Sequence, residues 1–164
     1  MRFFPHDFGS ESDDAPDAII AAYNSFLESI PGPVGSKIRN FHVSQSLNTN
    51  YLDKIEVRQS KKEITLSLIS GDLQRGYSLL TIHYKNATLV EAESHIRQAF
   101  NFRNAEIRYD EFDLASDGSR CVHRMLLWPK QLGECTISFD DFEVGQKPLG
   151  ARAYVTYGQT FVSE

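Results

Sequence analysis

Apolar residues in the segment DAPDAIIAAYNSFLESI, residues 14–30, recur every third or fourth position, at Ile19, Tyr23, Phe26, Leu27 and Ile30, with Ile20 widening the stripe. That period predicts an amphipathic helix whose apolar side needs a surface to cover. Asp14 can cap its first turn, Pro16 sits where a missing N–H is harmless, and Asp17 suits the positive end of the helix. The following PGPVG predicts its end.

Further along, the period changes to two. LDKIEVRQ (52–59) and EITLSLIS (63–70) predict a hairpin around SKK, with Ile64, Leu66 and Leu68 on one face. GYSLLTIHYKNATLV (76–90) predicts a strand at 77–84 with a short extension beyond Asn86, and SGDLQRG the turn before it. In EAESHIRQAFN (91–101), Ala92, His95, Ile96, Ala99 and Phe100 fit a short helix or an irregular connection, and the pattern leaves both open. ARAYVTYGQTFV near the end reads as a last strand.

The dipeptide Asp117-Gly118 signals a two-residue turn, because both central positions of a type I′ turn need positive φ. The implied register sets Ser116 against Ser119, Phe112 against His123, Glu111 against Arg124, Asp110 against Met125 and Tyr109 against Leu126. A loop at PKQLG (129–133) would then pair Leu127 with Cys135, Met125 with Ile137 and His123 with Phe139. One face collects Phe112, Met125, Leu127, Ile137 and Phe139, which the helix at 14–30 could cover; the other carries Ile107, Tyr109, Leu126 and Trp128 beside the Glu111–Arg124 pair. The expected architecture is α+β: a single curved, mainly antiparallel sheet of six to eight strands, a β-rich body over 41–162, and the N-terminal helix packed on it. A barrel-like closure is the alternative.

The 164 residues fit one domain spanning 1–164. A formal charge of −5 opposes binding to a phosphate backbone, which argues against nucleic-acid recognition and favours a basic protein partner. No apolar run approaches a membrane span, and the start MRFFPHDFGSESDD turns acidic where a secretory signal stays apolar, so a cytoplasmic protein without membrane association is expected. Cys121 and Cys135 are too far apart on the proposed ladder to form a disulfide.

On the face of the apolar patch, the register brings Asp110 and Asp141 diagonal to His123, with Cys121 opposite Asp141. Imidazole, carboxylate and thiolate together suit a divalent transition metal, and His123 oriented by either aspartate could serve as a general base. The structural alternative is a salt-bridged histidine at a sheet rim, and it carries more weight because no CxxC, HExxH, phosphate loop or nucleophile elbow accompanies the cluster. No cofactor is expected. Glu111 with Arg124 reads as a cross-strand ion pair, and DDFEV (140–144) as a solvated acidic strand end that discourages edge-to-edge pairing, any partner it meets being basic. A third possibility is a small-ligand pocket lined by Tyr109, Trp128 and Phe142.

The succession of YDEFDL (109–114), His123-Arg124-x-Leu-Leu and E-x-x-I-x-F-D-D-F (134–142) resembles small, uncharacterised bacterial proteins collected as domains of unknown function, in which a YxEF-like strand precedes a histidine-bearing one. Those proteins often carry a His-Asp step where this chain has His42 followed by Val43. The chain is also similar in general character to immunity proteins, compact acidic chains that block a toxin by binding it. The resemblance implies an interaction protein and carries over no activity.

Overall fold

A computed structural model describes residues 2–4, 17–72, 74, 76–102, 104–149 and 160–163. Among these residues three helices, α1 (Asp17–Ser29), α2 (Gly32–Ser44) and α3 (Glu93–Asn101), accompany nine strands. The strands are β1 (Tyr51–Arg58), β2 (Glu63–Asp72), β3 (Gly76–Lys85), β4 (Thr88–Leu89), β5 (Glu106–Leu114), β6 (Cys121–Trp128), β7 (Glu134–Phe139), β8 (Asp141–Leu149) and β9 (Thr160–Ser163). The class is α+β. Eight strands form one antiparallel path, β4-β7-β6-β5-β1-β2-β3-β8, and β9 lies parallel to β1.

Among the described residues the path ends on β4 and β8 without closing. It is nevertheless strongly curled. β6 and β3 stand four strands apart in the order, about 19 Å in a flat sheet, yet the Tyr84 hydroxyl on β3 lies 2.7 Å from His123 on β6. The curl is completed by β7 and β8, which form nearly one run: only Asp140 separates them, and there the chain leaves β6 to pair with β3. Inside, Phe41, Tyr84, Phe112, His123, Phe139 and Phe142 pack together, with Phe41 edge-on to Phe112 and Phe142, and Phe139 edge-on to the same two rings, an arrangement that aromatic quadrupoles favour.

α1 buries Tyr23 and Leu27, whereas Ile20 is 40% exposed and stands outside the stripe that the sequence assigns it to. The Tyr23 hydroxyl accepts the N–H of Phe112 at 2.6 Å. The expected cap at Asp14 and first-turn Pro16 fall outside the described residues. After α1 the chain does not go directly to strands: PGPVG opens α2, correcting the expectation of a β-rich body from residue 41. Pro33 in the first turn of α2 lacks only an N–H that would be unpaired there, so the residues that stop one helix start the next. The sharp turn depends on Gly35, where a Cβ would come within 2.1 Å of the Ile30 carbonyl oxygen. Gly35→Ala is expected to lower the stability by about 1–3 kcal/mol or more, measurable as a drop in the urea midpoint.

The β1–β2 hairpin forms with Ile64, Leu66 and Leu68 fully buried, and Lys62 takes the left-handed conformation at its turn. α3 resolves the ambiguity at 91–101 in favour of a helix, because its face of Ile96, Ala99 and Phe100 is wholly buried. Of the last strand-like run, only β9 lies among the described residues.

The β5–β6 register holds at Tyr109–Leu126, Asp110–Met125, Glu111–Arg124 and Phe112–His123, but through a different loop. Only Gly118 of the dipeptide has positive φ, and Ala115 bonds both Gly118 and Arg120, so a wider loop around an ordinary turn replaces the type I′ form and the Ser116–Ser119 pairing. Two expectations need correction. A bulge between Ile107 and Tyr109 returns Ile107 to the core face, where it is fully buried. The β6–β7 register is displaced by two, with His123 opposite Ile137 and Met125 opposite Cys135, because the loop closes on Gly133, whose carbonyl takes the Leu127 N–H. An even displacement keeps every side chain on its expected face.

Candidate functional site

Of the residues that the sequence marks for chemistry, the structure joins Asp110 and His123. His123 Nε2 lies 3.0 Å from Asp110 Oδ2, and Nδ1 lies 2.7 Å from the Tyr84 hydroxyl. In the neutral ring the hydrogens have one consistent arrangement: a carboxylate only accepts, so Nε2–H donates to Asp110 and Nδ1 accepts from Tyr84. Burial, then the nearby Cys135 and Asp110, pushes the phenol well above its ordinary range and keeps it a donor. His123 has no solvent exposure and stacks on Phe112 at 4.0 Å, whereas the Asp110 side chain is 21% exposed. The result is a polar chain from the core to the surface, in which both ring nitrogens are engaged. The expected rim histidine is in fact a core residue.

Asp141 and Cys121 are not part of this group. The bend at Asp140 ends β7, so Asp141 opens β8 opposite Lys85 and meets the Lys37 ammonium at 2.6 Å, while Cys121 pairs with Phe139. Among the described residues no group of three or more His, Cys, Asp and Glu side chains is placed to hold a metal ion. The aromatic pocket does not assemble either: Phe142 is in the core, Trp128 is 49% exposed, and Tyr109 stacks against Phe4.

Both cysteines are buried free thiols, and burial pushes each above its ordinary range, aided by Asp140 at Cys121 and by Glu91 at Cys135. Neither should react with a thiol reagent in the native state, and both should react at once in denaturant; free-thiol titration checks this. The same burial raises Tyr23 and Tyr84. The unfolded chain therefore releases these protons from about pH 8.5 for thiols and about pH 10 for phenols while the native state holds them. Stability should accordingly be retained at neutral pH and fall as pH rises through that window, as followed by urea unfolding.

The acidic strand end is compensated within the molecule. Arg120 meets Asp140 at 2.9 Å, Lys37 meets Asp141, and Lys85 bonds Glu143. All three carboxyls lie below their ordinary range: Asp140 through the Asn86 amide and Arg120, Asp141 through Lys37 against a raising effect of burial, and Glu143 through Lys85. Beside them, α2 and β8 bound an open groove of about 600 Å³ lined by Lys37, Asn40, Phe41, Gln45, Val144 and Gln146. From Glu143 to Pro148 the β8 residues are exposed, and among the described residues β8 pairs with β3 alone.

The cluster that the sequence reading undervalued is centred on Glu111. Its carboxylate has no solvent exposure and accepts the backbone N–H groups of Arg2, of Phe3 at 2.8 Å and of Phe4 at 3.2 Å. Arg124 stands 3.7 Å from Glu111 and 2.5 Å from Asp113, and Asp113 also takes the Arg2 guanidinium at 3.3 Å. The sequence did offer a signal: acids at Glu111 and Asp113 on one face, with a single facing cation. Compared with known proteins, the chain matches no family model, no curated protein and no solved structure.

Proposed function

We propose that this chain is a non-enzymatic interaction module that receives a protein partner along the open flank of β8 and the adjoining face of α2. The observation that carries the reading is that flank. It offers an exposed run of main chain beside a groove rich in amide side chains, and strand edges with a neighbouring groove recur as peptide-docking surfaces. The net charge of −5 favours a basic partner through long-range steering. Contact specificity would come from Gln45, Val144 and Gln146, because the carboxylates at 140, 141 and 143 already have cations of their own. The engagement of both His123 nitrogens in the core supports a structural role for this imidazole beside the Asp110 carboxylate. α1, tied to β5 through Tyr23, would act as a fixed part of the body.

Photo-crosslinking from a benzoyl-phenylalanine placed at Gln146, with a second placed at Asp117 as a control, tests the proposal in cells. It predicts one adduct of defined mass with a cationic protein, formed from Gln146 only, whose yield falls about tenfold when Val144→Lys adds a repelling charge. Equal adducts from both positions, or a yield indifferent to Val144→Lys, would contradict it.

A further inference from the structure

The cleft around Glu111 has the construction of a peptide-recognition site. Three consecutive N–H groups of one bent segment converge on a single buried carboxylate, a mode of capture that reads main chain irrespective of side chains. The side chains add a pattern. The Arg2 guanidinium reaches Asp113 and lies 4.8 Å from the centre of the Phe26 ring. The Phe3 ring packs between Tyr23 at 5.0 Å and Phe26 at 5.3 Å, and Phe4 lies between Tyr23 at 5.3 Å and Tyr109 at 6.0 Å. Glu111, Asp113 and Tyr109 come from β5, and Tyr23 and Phe26 from α1, so the cleft belongs to the body and Arg2–Phe4 is its occupant.

Vacated, the cleft would open the Glu111 carboxylate to solvent, with Arg124 beside it at 3.7 Å. It would then present an acidic acceptor flanked by Tyr23, Phe26 and Tyr109, a surface whose chemistry suits another segment with main-chain donors, a cation and aromatic rings. We propose that it is a recognition site for a basic-aromatic-aromatic segment of a protein partner, and that Arg2–Phe4 is a ligand tethered in cis that such a segment displaces. This site is separate from the contact along β8, and each can fail without the other. A crosslink from Gln146 reports on the first surface and has no bearing on the second.

The test uses the full chain and a labelled peptide, MRFFPH, with MAAAPH as its control. In the variant Arg2→Ala/Phe3→Ala/Phe4→Ala, which removes the side-chain anchors of the tethered ligand, MRFFPH should bind at least about tenfold more tightly than to the unaltered chain, and adding Glu111→Gln should remove that gain. Equal affinity for the two chains, or a gain indifferent to Glu111→Gln, would overturn the proposal. Should the triple variant fail to fold, hydrogen exchange on the unaltered chain decides. MRFFPH in the millimolar range, comparable to the effective concentration of a short tether, should speed exchange at residues 2–4 while MAAAPH does not. Unchanged exchange there would overturn the proposal equally.

Discussion

Replacing His123 by alanine is expected to lower the free energy of unfolding by about 3–5 kcal/mol, which for a chain of this length corresponds to a fall in Tm of about 6–20 °C. Three losses combine. The Tyr84 hydroxyl and the Asp110 carboxylate each lose the ring nitrogen they bond, and Phe112 loses the ring stacked on it. An apolar cavity with two unpaired polar groups on its wall is worse than the loss of either interaction alone. Because Tyr84 and His123 come from strands four places apart, the deletion should also loosen the curl that brings β3 over β6. Tyr84→Phe, which leaves one ring nitrogen unpaired without opening a cavity, should cost about 1–3 kcal/mol. A double-mutant cycle of the two, read by urea unfolding, should show strong coupling. A surface histidine would give losses near zero and no coupling.

Glu111→Ala should be comparably severe, with a loss of about 3–5 kcal/mol, and its effect should have a spatial signature. The substitution takes the acceptor from three N–H groups and leaves Arg124 with Asp113. Hydrogen exchange should therefore become fast at residues 2–4 while the Phe112 amide, bonded to Tyr23, keeps its protection. Glu111→Gln, which keeps the side chain's volume but exchanges one charged acceptor oxygen for an amide donor, should preserve more of the stability while still speeding exchange at residues 2–4. Uniform exchange changes across the chain would mean that Glu111 acts only on global stability.

The strands around residues 52–85 were legible because two strict alternations flank a short polar turn, and a pattern of period two determines which face is buried. The β5–β6 register was legible although the turn type was not: the pairing of Phe112 with His123 survives exchange of a two-residue turn for a wider loop. α2 was hidden because Pro31 and Pro33 read as breakers, and sequence alone does not reveal that a proline stopping one helix also occupies the first turn of the next. The two-residue displacement of β7 came from Gly133 closing the loop, and Asp141 moved away from His123 because a single bend at Asp140 transfers the strand to a new partner. That transfer arises from the curl of the sheet, a long-range property that no local pattern encodes. In the sequence Glu111 shows only its cross-strand partner Arg124, because its other partners are main-chain groups more than a hundred residues away.

Whether a partner sits on the proposed flank of β8 is decided by hydrogen exchange over Glu143–Lys147 in the free chain and in its complex with the protein crosslinked from Gln146. Rapid exchange is expected at the outward-facing amides of the free chain and marked slowing in the complex, concentrated on β8 and the adjoining turn of α2. Exchange unchanged along β8, with slowing confined to another face of the molecule, would contradict that placement.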